Sequence, residues 1–61
     1  MITVDLSGPE GNAFYLMGLV GNLCKQLDME LAPILDDMKS DDYDHLLDVI
    51  QENFPGLVEF V

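Results

Sequence analysis

Apolar and polar positions alternate at the start of the chain and then change period. In Ile2-Thr3-Val4-Asp5-Leu6, the residues Ile2, Val4 and Leu6 share one face of a strand, with Thr3 and Asp5 on the other. Ser7-Gly8-Pro9-Glu10-Gly11-Asn12 interrupts it with glycine and proline, and leaves Asn12 placed to cap a helix. From Ala13 to about Leu27 the period is helical, and Phe14, Met17, Val20, Leu23, Cys24 and Leu27 line one face. Gly18 and Gly21 fall inside this helix, where each costs about 1 kcal/mol relative to alanine. Close packing against a neighbouring element is the expected reason. A smooth patch for a partner or a second copy is the alternative.

Asp28 is placed to cap a second, shorter helix beginning near Glu30 or Leu31, in which Leu31, Ile34, Leu35 and Met38 follow the i, i+3, i+4, i+7 spacing. Pro33 belongs in its first turn, where a missing N–H does no harm. Ser40 is the expected cap of a third helix, with Asp41 and Asp42 in its first turn, where the helix dipole favours negative charge. Tyr43, Leu46, Leu47, Ile50 and Phe54 make its inward stripe, and Asn53, Pro55 and Gly56 end it. Leu57-Val58-Glu59-Phe60-Val61 reads as a final strand with Val58 and Phe60 toward the helices.

The expected fold is therefore α+β, in the order β-α-α-α-β. Residues 1–61 make one small acidic domain, with three helices on one face of a two-stranded sheet formed by the terminal strands. Two strands alone are marginal, and a chain this short buries only about 60% of its unfolded surface. Cys24 is alone, so no disulfide can form within the chain, and no Cys/His cluster suggests zinc. A partner or a homodimer is the expected supplement, through the open sheet edges or the Gly18/Gly21 helix face.

Charge changes this picture most. Twelve Asp and Glu residues face two lysines and no arginine, a formal charge of −10 in 61 residues. Self-repulsion of that size works against compaction. The simplest return is attraction to a basic surface, and nucleic-acid-binding sites are the commonest large ones. Membranes and nucleic acid itself are anionic and are poor direct partners. No run approaches the ~18 apolar residues of a membrane span, and the lone cysteine fits a reducing cytoplasm.

On the third helix Asp41, Asp44, Asp48 and Glu52 are spaced by three, four and four, which aligns them on one face flanked by His45 and Gln51. Neighbours four apart advance about 6 Å, comparable with every second phosphate of a DNA strand at about 3.4 Å each. Asp36 and Asp37 on the second helix extend the face, with Glu30 further out. A merely solvated surface explains such acids in most proteins, but a surface shaped only by stability would mix in opposite charges.

Other chemistry is thin. The carboxylates Asp36, Asp37, Asp41, Asp42 and Asp44 lack the glycine and late glutamate of an EF-hand and are interrupted by Met38-Lys39. A Cys24–His45 nucleophile pair would need an exposed thiol, whereas the helical context of Cys24 is apolar. The turn at Gly8-Pro9-Glu10-Gly11 lacks a phosphate-loop pattern, and Glu10 would repel phosphate. No metal, cofactor or catalytic residue is expected.

Two segments, Gly8-Pro9-Glu10-Gly11-Asn12-Ala13-Phe14 after the first strand and Ser40-Asp41-Asp42-Tyr43-Asp44-His45-Leu46-Leu47 at the last helix, resemble small proteins encoded by bacteriophages and prophages. With the short final strand the resemblance covers most of the chain. It departs at Asp41, where such proteins often carry glycine, and at the single lysine of the first helix, Lys25, where they are more basic. Small acidic phage proteins include anti-restriction and anti-CRISPR inhibitors, several of which imitate DNA electrostatically. The resemblance thus implies a non-enzymatic inhibitor of a host nucleic-acid-binding defence complex. Asp36, Asp37, Asp41, Asp44, Asp48 and Glu52 would be its docking face. The rival expectations are an interaction module binding through the Gly18/Gly21 helix face or a sheet edge, and an antitoxin-like binder of a basic partner.

Overall fold

The computed structural model describes residues 1–61 and has the expected order of elements. Strand β1 is Ile2–Val4, a single 3-10 turn covers Pro9–Gly11, and the helices are α1 (Ala13–Leu27), α2 (Leu31–Met38) and α3 (Tyr43–Asn53). Strand β2 is Val58–Phe60. The two strands pair in parallel, with Ile2 opposite Val58 and Val4 opposite Phe60. Parallel pairing requires a crossover, and the helical segment between the strands supplies it. Both strands are shorter than the alternation suggested, yet the pairing continues at its end: Val61 N–H donates to the Val4 carbonyl and Leu6 N–H to the Val61 carbonyl.

The helices cover one face of this sheet. Val4 and Val58 are buried beneath them, while Thr3 and Glu59 face solvent. The core is entirely apolar and gathers Leu16, Val20, Leu23 and Cys24 from α1, Ile34 and Met38 from α2, and Leu46, Val49 and Ile50 from α3, with Phe54 just beyond it. No buried polar side chain is left without a hydrogen-bond partner.

Local chemistry sets the boundaries. The Asn12 side chain accepts from Phe14 N–H at 2.7 Å and starts α1. Asp28 does not cap α2; it ends α1 in the left-handed conformation, φ 57°, with Met29 N–H closing on the Cys24 carbonyl at 2.8 Å. Aspartate tolerates that region better than most residues. Glu30 stands at the start of α2 without a side-chain cap, and Pro33 falls in the first turn as required. The cap of α3 is Asp42, not Ser40: its carboxylate accepts from His45 N–H at 2.9 Å. Ser40 instead turns back, its hydroxyl donating to the Asp37 carbonyl at 2.7 Å. At a helix N-terminus an anion gains from the dipole as well as from the hydrogen bond.

The inward stripes also differ from the expected ones. Leu16 and Val49 are buried, whereas Phe14 is 80% exposed, and Leu27 and Tyr43 are substantially exposed. Helix α1 is apolar on more than one side, so several rotations satisfy the periodicity. The core takes the face with Leu16, Val20, Leu23 and Cys24, and Phe14 is turned outward. Tyr43 stays at the edge, where its hydroxyl donates to the Gly11 carbonyl. Two glycines are required on steric grounds: at Gly11 a β-carbon would lie 2.2 Å from the Leu6 carbonyl oxygen, and Gly56 adopts φ 76°, where L side chains are strained. The expected close packing at Gly18 is absent, since nothing lies within 4 Å of where its β-carbon would be; at Gly21 only Leu31 Cδ2 approaches, at an ordinary 3.7 Å.

Candidate functional site

The acidic face is built by α2, α3 and the turn between them, two helices that pack directly against each other. Helix α3 turns Leu46, Val49 and Ile50 into the core, which leaves Asp44, Asp48 and Glu52 on the solvent side. They form a row at successive i, i+4 spacings. Asp41 precedes the helix, because Asp42 is the cap, so it is not the first member of that row. The structure thus shortens the expected line of four to three and moves Asp41 to the α2–α3 turn.

There Asp41 joins a second group. His45 Nε2 donates to Asp37 Oδ1 at 2.8 Å, and Ser40 Oγ lies 3.4 Å from the same nitrogen. The hydrogen bond to Asp37 is the main cause that lifts the His45 pKa above its ordinary 6.5; the charges of Asp37 and Asp41 add to it and partial desolvation opposes it. Asp36 is exposed on the preceding position of α2. The six candidate residues therefore divide: Asp37 and Asp41 act on His45, Asp36 stands exposed beside Asp37 on α2, and Asp44, Asp48 and Glu52 run along α3.

Apart from Asp37, which His45 engages, these carboxylates are free of basic partners. The His45–Asp37 contact is the one ion pair in the structure, and neither Lys25 nor Lys39 comes within 4.0 Å of an Asp or Glu oxygen. Several acids elsewhere have local structural roles. Asp5 accepts from Ser7 N–H and Oγ–H at 3.0 and 2.7 Å, which lowers its pKa, and Glu10 accepts from Asp5 N–H at 3.2 Å. Asp44, Asp48 and Glu52 have no such side-chain bonds, and only Asp44 gains from sitting in the first helical turn.

No three His, Cys, Asp or Glu side chains converge as a metal-binding group. The Cys24 thiol is buried in the core, and burial pushes its pKa up, away from the reactive thiolate. No helix is long and apolar enough to cross a membrane. Sequence reasoning offered the Gly18 face of α1, with Tyr15 and Leu19, as a contact surface but missed that Phe14 turns outward to join it. The only sequence signal for that turn is that Phe14 and Leu16 both bid for the inward side, two residues apart, and one helix face cannot hold both.

The His45–Asp37 contact has a measurable consequence. A histidine whose folded pKa is raised contributes stability that is fully present below its unfolded value of 6.5 and is lost as pH rises through the higher folded value. The melting temperature is expected to fall across that window. In His45→Gln the same stretch of the curve should be flatter, and the two curves should converge at alkaline pH.

No protein-family model, no curated protein and no solved structure matches the chain.

Proposed function

We propose that the protein is a non-enzymatic inhibitor that presents its α2–α3 face as a substitute for nucleic acid. It docks on the lysine- and arginine-rich surface of a host defence complex, of the CRISPR surveillance kind, and so blocks DNA or RNA. The observation that carries this reading is the unpaired α3 row: Asp44, Asp48 and Glu52 are exposed in a chain of charge −10, with no basic side chain within ion-pair distance of any of them. Like charges at i, i+4 weaken a helix by a few tenths of a kcal/mol per pair, and both the Asp44/Asp48 and Asp48/Glu52 pairs do so here. The resemblance to phage-encoded proteins supplies the defence setting.

Docking of this kind is steered by charge and is screened by salt. The test is capture of partners from a bacterial host lysate on the immobilised protein, at low and at high salt. The expected result is a nucleic-acid-binding complex that is retained at low salt, released at high salt and displaced by competing DNA or RNA. A neutral partner held equally at both salts would overturn the reading.

A further inference from the structure

Helix α1 contains no acidic residue, and the one acid that reaches its outer side is Glu10, whose Oε2 accepts from the Tyr15 hydroxyl at 3.4 Å. All twelve carboxylates lie outside its 15 residues, and its only charge is Lys25. Its outer side carries Phe14, 80% exposed, and Tyr15, 44% exposed, around a shallow depression completed by Gly18, Leu19 and Asn22. The accessible surface of 3920 Å² agrees with the roughly 3,950 Å² expected for a compact monomer of this mass. The fold does not need the glycine at the floor of the depression. Gly18 has open space above it, and alanine there would favour the helix by about 1 kcal/mol.

We infer that this face of α1 is a self-association surface, on which a second copy of the chain packs its own α1 antiparallel to the first. A two-fold contact must be self-complementary, so that residue i meets j while j meets i. Phe14 and Gly18 satisfy that condition. They stand one helical turn apart on the same side, a projecting ring and a gap, so Phe14 of each copy can seat over Gly18 of the other. Charge selects the same surface. Two copies of charge −10 repel wherever carboxylates meet, and pairing through α1 brings together helices that carry none; the nearest acid, Glu10 beside Tyr15, comes opposite Asn22 of the other copy in this register and not opposite another acid. The open sheet edges are poorer candidates, being three residues long, with Thr3 and Glu59 on the exposed face beside them. In this register the two helices overlap only over residues 13–19, about 10 Å, which offers well under the ~800 Å² per partner of a standard interface, so the dimer is a weak, concentration-dependent one.

The test is sedimentation equilibrium of the full chain over a wide concentration range, at low and at high salt. The expected result is a reversible monomer–dimer equilibrium that tightens as salt rises, because salt screens the repulsion between copies. That sign is opposite to the one expected for docking on a basic partner, so the two readings fail separately. Phe14→Ser should raise the dissociation constant about tenfold or more while leaving the circular dichroism spectrum and melting curve nearly unchanged, since the ring is exposed in the monomer. A chain that sediments as a monomer at every concentration and salt overturns the inference. So does a Phe14→Ser variant, or a Gly18→Leu variant that remains helical, which dimerises as tightly as the parent.

Discussion

Asp48→Lys is expected to make the domain more stable and its docking weaker. Asp48 is the middle of the α3 row, with Asp44 one turn before it and Glu52 one turn after. The substitution turns two like-charge pairs into two opposite-charge pairs. Each pair is worth a few tenths of a kcal/mol in either sense, so the helix gains roughly 1 kcal/mol. In a domain this size that raises the melting temperature by about 4–8 °C. Against a basic partner the same lysine replaces an attraction by a repulsion near the centre of the face, and affinity should drop about ten- to hundredfold. Asp44 is a less informative choice, because it lies in the first turn of α3 and a lysine there would oppose the helix dipole. Thermal melts, together with inhibition or capture assays on the same variant, check both halves. A stabilised variant with undiminished inhibition would mean that the row only keeps the fold dissolved. Opposite movement of stability and binding is the signature of a surface shaped by function at the expense of the fold.

The second large effect lies in the core. Phe54 is 1% exposed and follows the last turn of α3, its N–H donating to the Ile50 carbonyl at 2.9 Å. Truncating a buried phenylalanine to alanine costs about 3–5 kcal/mol. A domain of 61 residues has a total stability of only about 3–9 kcal/mol. Phe54→Ala should therefore lose its cooperative melt or lower its midpoint by at least about 12 °C. Leu57→Ala, three residues on and 39% exposed, is the control and should move it far less. Circular dichroism melts of the two variants decide the matter. Equal effects would show that the ring of Phe54 is not the anchor that joins α3 to β2.

The contrast between these two sites reflects how the chain divides its tasks. The core contains no polar side chain at all, so stability rests on apolar contact among twelve buried residues. Charge is left to the surface, where its one ion pair joins His45 to Asp37. Reversing a surface acid therefore leaves the packing untouched, and truncating the core leaves the acidic face chemically intact until the fold fails.

Much of the architecture is determined by the sequence alone: the alternation at Ile2–Val4, the helical periods, the cap at Asn12, Pro33 in a first turn and the break at Pro55-Gly56 all follow from local sterics and hydrogen bonding. The excess of carboxylates over lysines, and the Asp44-Asp48-Glu52 spacing, are equally plain there. Tertiary structure decided what local rules leave degenerate. A helix as broadly apolar as α1 can turn Phe14 or Leu16 inward, and only packing into the common core selects Leu16. Ser40 and Asp42 are both competent caps; in the fold the Ser40 hydroxyl is taken by the Asp37 carbonyl, and Asp42 receives the His45 N–H. The parallel direction of the terminal strands, and the absence of any lysine near the acidic row, depend on distances between residues far apart in the chain, which no local period encodes.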